Sequence, residues 1–395
     1  MQSYDIITVG GGLAGSALAK AMAERGARVL VVERETHFKD RVRGEALAPW
    51  GVENLRRLGL FDRLAEHGHM LRYWRMFLGG NQVAERDFFT TTPQQAGFFC
   101  FYHPTMQEIL IEAAAKAGAE IRRGAHVREV EPGSPARVTI EQGGHDEEAS
   151  ARLIVGADGR GSRVRQWGGF TSCHDPDHNY LAGLLLDGFA GSEDSFSFYM
   201  DPSHGKLALF FPQGKRRVRA YYGHTKEWTE KRLGGAHDVG RFIGHFEKIG
   251  MPGEHCAKAT PSGPLATFPG ADSWVDHPYK NGIVLIGDAA STSDQTWGQG
   301  LSLATRDVCV LVDCLAKESD WRKAGDAYAK QHDWHYGVIH RVDRWYTQLF
   351  MEIGPEAEGR RARAFPLIAA DPTRVADCPI SGPEAPHDDA VRQRF

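Results

Sequence analysis

Two groups of residues have the types and spacing to hold the two ends of one dinucleotide. The first is Gly10-Gly11-Gly12-Leu13-Ala14-Gly15, directly after the run Asp5-Ile6-Ile7-Thr8-Val9. In a G-x-G-x-x-G on Gly10, Gly12 and Gly15, the first glycine permits a tight turn and the second lets a pyrophosphate approach the backbone. The third lets the next helix pack closely on the strand. The free amides and positive end of that helix then face the phosphates. Glu33 ends the next apolar strand, Arg28–Val32, where a carboxylate accepts a bond from a ribose hydroxyl. The second group runs from Gly287 to Gly300, directly after Gly282–Ile286. Asp288, at a strand end, can accept bonds from a polyol chain. Gly298 and Gly300 open a predicted helix, Leu301–Leu315, whose positive N-terminus suits an electron-rich ring. A tight turn with Asp288 as an N-cap is the alternative. A nicotinamide dinucleotide site is complete within its first motif region and needs no second group. A flavin dinucleotide is long enough to use both. The pair predicts FAD, held by a domain built from discontinuous segments.

The elements around these residues follow from their periodicity. Residues 13–25 read as a helix stopped by Gly26, so residues 5–33 form a βαβ unit with a parallel pair of strands. Helices are predicted at Pro49–Leu58, with Trp50, Leu55 and Leu58 inward, and at Pro104–Lys116, each followed by a glycine stop. From Tyr180 to His224 the pattern changes to short strands with alternating polarity, such as Arg217–Tyr221, and Arg72–Leu78 is placed in the same sheet. Phe242, Phe246 and Ile249 share one face of a helix. The fold class is therefore α/β: a Rossmann-like FAD domain with a second α+β lobe on a mostly antiparallel sheet. The FAD domain is assigned residues 1–75, 98–178 and 270–320, and the substrate lobe 76–97 and 179–269. A C-terminal helical segment and tail, 321–395, turns polar and proline-rich after Asp371, and the sequence leaves open whether it packs.

Composition narrows the function classes. With 395 residues, 42% hydrophobic and 25% charged, the chain can bury large cores. A net charge of −4 without a basic block gives a polyanion nothing to grip, so no nucleic-acid partner is expected. The six cysteines show no metal-like or C-x-x-C spacing, which suits a reducing cytoplasm. No leader pattern and no run of ~20 apolar residues is present, so the expectation is a cytoplasmic protein without a membrane span. Among His174, Asp175, Asp177 and His178 a polar turn is preferred to a metal site, and no metal is expected. No nucleophile elbow, P-loop or H-E-x-x-H motif is found, and catalytic side chains are left unassigned. The oligomeric state is left open.

A family resemblance joins the motifs. Gly10–Gly15, Glu33-Arg34, Arg43-Gly44, Ala157-Asp158-Gly159 with Ser162 and Val164-Arg165, and Gly287-Asp288-Ala289-Ala290 ending Gly298-Gln299-Gly300 come in one order. That set resembles the para-hydroxybenzoate-hydroxylase-type flavoprotein monooxygenases over roughly residues 1–320. The resemblance implies noncovalent FAD contacted by Gly10, Gly12, Leu13, Ala14, Gly15, Glu33, Arg34, Arg43, Gln107, Val127, Asp158, Asp288, Gly298 and Gly300. It implies NADPH or NADH as reductant, and O2 activated as a flavin hydroperoxide. It also implies hydroxylation or epoxidation of a medium-sized aromatic or polyketide-like small molecule. On the residues alone, Ala157-Asp158-Gly159 reads equally as a surface turn, and a solvated surface arginine is the alternative for Arg43.

Departures from the family pattern mark this chain. His103 stands where an arginine is frequent, Ser291 where a histidine is, Gln295 in place of a proline near the flavin ring, and Trp297 in place of a glycine. Gln295 and Trp297 are the candidate substrate contacts, with core packing as the alternative for Trp297. Glu45, after Arg43-Gly44, resembles flavin halogenases and geranylgeranyl-reductase-like proteins. Both are rival activities, although the halogenase signature W-x-W-x-I-P is missing. A flavin-binding protein without turnover is the non-enzymatic rival.

Overall fold

The computed structural model describes residues 1–227 and 232–394. Its first layer is a sheet with the spatial order Tyr279–Lys280, Ile283–Leu285, His145–Gly156, Gln2–Val9, Val29–Glu33 and Glu120–Arg123. All neighbours pair in parallel except the first two. A meander of Ala136–Gln142 and His126–Glu131 extends from the long strand. The strand Val29–Glu33 is buried along its whole length, as expected for a parallel strand covered on both faces. The helices Leu13–Ala23, Pro49–Arg57, His103–Lys116 and Gly300–Lys317 contribute to one core together with this sheet. The meander and the sheet's other face form a second core around Ile7, Leu30 and Ile154.

The second sheet is mostly antiparallel: Thr260–Pro261, Asn179–Asp187, Arg217–Thr225, Lys206–Gly214, Ser195–Asp201, Tyr73–Leu78 and Asn81–Asp87, with Ala266–Gly270 also on Asn179–Asp187. Tyr73–Leu78 joins it beside Ser195–Asp201, in parallel register. Phe242 and Phe246 are fully buried and Ile249 nearly so, which fixes the helix Val239–Lys248 against one face of that sheet. The α/β architecture with its antiparallel second layer is the one read from the sequence.

The C-terminal segment is packed. A helix of 30 residues, Trp321–Phe350, runs along the first layer and on to the second, burying Tyr328, Tyr336, Ile339 and Val342. The helix Pro355–Ala370 follows, and residues beyond it are tied to both layers. Trp50 Nε1 donates to the Pro379 carbonyl at 3.3 Å, Gln94 Nε2 to the Ser381 carbonyl at 2.8 Å, and the Tyr346 hydroxyl to the Ala376 carbonyl at 2.7 Å. Apolar side chains of the second sheet and the C-terminal helices form one core between them, and this is why the tail does not swing free.

Candidate flavin and acceptor cavity

Backbone freedom builds the first end of the site. Gly10 has φ of +101°, and a Cβ there would lie 2.4 Å from the Ala157 carbonyl oxygen. A Cβ on Gly15 would fall 2.0 Å from the Gly10 carbonyl, so only glycine lets the Leu13–Ala23 helix start so close to the strand. At Gly12 the only nearby atom is Gln107 Nε2, at 3.7 Å, so a ligand can approach the backbone. This helix has no side-chain cap and no acid in its first turn. Its amides are open to phosphate. Glu33 is buried, accepting from Gly11 N at 2.7 Å and Glu35 N at 2.8 Å. A carboxylate retains lone pairs beyond those two bonds, enough for a ribose hydroxyl.

The other end is built by the Gly287–Gly300 segment. The Asp288 carboxylate meets no hydrogen-bond donor among the described residues and faces a cavity. Burial raises its pKa, opposed by the charges of Arg160 and Arg43. Gly298 adopts φ of +71° with open space around it. The Gly300–Lys317 helix then begins without a side-chain cap or an acid in its first turn. An unsatisfied acceptor beside an open helix N-terminus fits a ribityl chain and an anionic ring. The residues present therefore fit FAD.

One cavity of about 1250 Å³ joins these parts. Gly12, Leu13, Ala14, Arg43, Gln107, Asp288, Gln295, Trp297, Gly298 and Gly300 all line it. Gly10 and Gly15 set the tight turn that leads to it without lining it, and Glu33 anchors that turn. Arg34 is exposed and lies 3.7 Å from Glu35, while Val127 is half-buried on the meander; neither lines the cavity. The Asp158 carboxylate is turned to its own chain, accepting from Ser162 Oγ at 2.6 Å and from the Arg163 and Val164 amides. It organises the start of the Arg163–Trp167 helix, while its neighbours Ala157, Gly159 and Arg160 reach the cavity. Gln295 donates to the Pro269 carbonyl at 3.2 Å, and Trp297 Nε1 to Thr347 Oγ1 at 2.9 Å.

The sequence profile of the family described as FAD binding domain matches residues 3–331. The chain belongs to that family. It is an FAD-dependent oxidoreductase of the flavoprotein-monooxygenase type, as the motif set implied. The rifampicin monooxygenase of Streptomyces venezuelae is 28% identical, over 90% of this chain and 74% of that protein. A digeranylgeranylglycerophospholipid reductase of Methanocella arvoryzae is 26% identical, over 83% of this chain and 80% of its own length. The p-nitrophenol 4-monooxygenase of Pseudomonas putida superposes with a TM-score of 0.77 at 20% identity, covering 94% of this chain and 95% of that one, and shows the shared fold.

Several residues of the flavoprotein's site escaped the motif reading. Asp307, fully buried on the Gly300–Lys317 helix, accepts from Gly287 N at 2.8 Å through one oxygen. Its other oxygen lies 2.9 Å from both His332 Nδ1 and His335 Nε2 on the long C-terminal helix. Although burial opposes ionisation, these two histidines hold its pKa below the ordinary carboxylate value. Burial also lowers the pKa of His335, and the buried trio fixes the turn carrying Asp288. Asp307 lies two helical turns beyond Gly300, and H-x-x-H places both histidines on one helix face. That spacing was the available signal.

A second buried network joins the two layers. Arg219, fully buried in the second sheet, pairs with Glu45 at 2.8 Å and Asp40 at 3.0 Å. Glu45 also accepts from the His103 amide at 2.9 Å and from Gln213. His103, buried against the Gly44 carbonyl, has its pKa pushed down to about 4, chiefly by burial. A neutral imidazole therefore stands at the cavity where the family frequently carries a cation.

Proposed function

We propose that the protein is a single-component monooxygenase that uses FAD, O2 and NADPH or NADH to hydroxylate or epoxidise a medium-sized aromatic or polyketide-like molecule. The carrying observation is the continuity of one cavity from Gly12 and Asp288 to an apolar half lined by Phe98, Phe196, Phe211 and Trp297. Single drug-sized ligands occupy ~300–1,000 Å³, so a cavity of about 1250 Å³ has room for a flavin ring and an acceptor together. FAD, when bound, supplies the redox chemistry that activates O2. One oxygen atom enters the acceptor, the other leaves as water, and the nicotinamide provides the two electrons.

The chain's own residues supply position and dryness. The open N-terminus of the Gly300–Lys317 helix stabilises negative charge on the ring, and Asp288 accepts from the ribityl hydroxyls. Aromatic walls exclude water from the reacting atoms. Gln295 lines the cavity beside the flavin-binding turn and brings a side-chain amide to it. Gly10, Gly12, Leu13, Ala14, Gly15, Glu33, Arg43, Gln107, Asp288, Gly298 and Gly300 are the proposed cofactor contacts, with Gln295 and Trp297 on the acceptor. Cytoplasmic residence is proposed from the unpaired cysteines. No helix among the described residues is long and apolar enough to cross a membrane. O2 consumption with each nicotinamide and a substrate panel, followed by product mass, tests the reading. A gain of one oxygen supports it, whereas a gain of a halogen or of two hydrogens refutes it.

A further inference from the structure

Charge is distributed unevenly along the cavity. Arg43, Arg160 and Asp288 line its cofactor end, and none of the three is in an ion pair among the described residues. In the other half every charged lining side chain among the described residues is already matched. Arg86 forms a two-pronged pair with Asp377 at 2.5 and 3.1 Å, Glu85 lies 2.7 Å from Arg75, and Asp87 2.7 Å from Arg72. A carboxylate or sulfonate on the acceptor would lose water there and find no free cation. That loss is unfavourable unless a partner is supplied.

The apolar half also has two walls of different origin. One is the second sheet, where Phe196 and Phe211 stack at 4.4 Å. The other is the C-terminal segment. Trp297 stands edge-on to Tyr346 at 5.2 Å, and the helix Pro355–Ala370 contributes Ile368 to the lining. Val375 and Asp377 follow on the strap beyond that helix, which is hydrogen-bonded to three other elements as described above. Aromatic faces on one side and a tied strap on the other leave a broad slot suited to flat rings.

We infer that the acceptor is an uncharged, multi-ring hydrophobe, and that the C-terminal helix and strap form the wall that sets its size. This rests on reading the cavity as a shared flavin and acceptor site. Two probes with one ring skeleton test it: neutral N-phenyl-1-naphthylamine and its sulfonated analogue 1-anilinonaphthalene-8-sulfonate, titrated by fluorescence into the FAD-loaded protein. The neutral probe binds the wild type at least about tenfold more tightly. Ile368→Trp and Val375→Trp each weaken it about tenfold or more with FAD content unchanged. Asp377→Asn, which frees Arg86, raises affinity for the anionic probe about fivefold and leaves the neutral one within about twofold. Equal or tighter binding of the anionic probe to wild type overturns the inference. So does absence of neutral-probe binding, or neutral-probe binding that neither tryptophan variant changes. A protein that takes up no FAD refutes the flavin reading instead, so the two failures are distinguishable.

Discussion

Asp307→Ala should be among the most damaging single substitutions in this protein, although Asp307 lies outside the cavity lining. The carboxylate accepts from Gly287 N at 2.8 Å and is met by His332 and His335 at 2.9 Å, all without solvent. Hydrogen bonds to a charged group are worth ~1.5–3 kcal/mol each, but three on one carboxylate do not add. Removing one member of a buried charged network costs ~3–5 kcal/mol, because the remaining polar groups stay buried without partners. A loss of about 4 kcal/mol is therefore expected. With an unfolding entropy of ~2.1 cal/mol/K per residue, a chain of 395 residues loses ~1.2 °C per kcal/mol, so the Tm of the flavin-free protein falls by roughly 5 °C. Asp307→Asn keeps an acceptor for Gly287 N and should lose about half as much. Because the Asp307 pKa is lowered on folding, its stabilisation is present above the ordinary carboxylate range, near pH ~4, and is lost only on further acidification. The deficit is best measured at pH 7 by thermal unfolding followed by circular dichroism, with flavin retention read from visible absorbance. An alanine variant within 2 °C of wild type, holding FAD normally, would refute the claim that the trio supports the turn.

Three further outcomes follow from named groups. Asp288→Ala removes the unsatisfied acceptor and should weaken FAD ~10–100-fold in a flavin titration, whereas unchanged affinity would assign Asp288 to the turn alone. His103 has a folded pKa of about 4 against an ordinary 6.5, so the unfolded chain binds its proton first and stability declines as pH drops through that window. The decline amounts to ~3 kcal/mol, and His103→Asn should flatten it in denaturation curves between pH 6.5 and 4. Asp272 is buried and its pKa is raised to about 8, first by burial and then by Asp294 and Asp175. Its contribution is full below the ordinary carboxylate pKa and is lost as pH rises to about 8. Asp272→Asn should therefore raise the Tm more at pH 8 than at pH 5, and a uniform shift would contradict the assignment.

The sequence by itself determined what depends on local covalent and steric requirements. Gly10 and Gly15 specify a turn that a Cβ would block, Gly12 keeps its backbone open to a ligand, and the run before them specifies a buried parallel strand. The change of periodicity near Tyr180 specifies a second, antiparallel layer. Because such requirements act within a few residues, the FAD family was legible before any coordinates. What the tertiary structure decided depends on partners distant in the chain. Asp307 and His335 meet only because the Trp321–Phe350 helix crosses behind the flavin turn. Glu45 lines the cavity, and Arg219, brought across from the second sheet, draws it into an ion pair that its local motif does not specify. Trp297 lines the cavity and packs against Tyr346, a placement that only the long C-terminal helix decides. The tail's polar, proline-rich composition left its packing undecided. Hydrogen bonds to Trp50, Gln94 and Tyr346, from three separate elements, make it a wall of the site, because a segment with little local structure is fixed by the surfaces it meets.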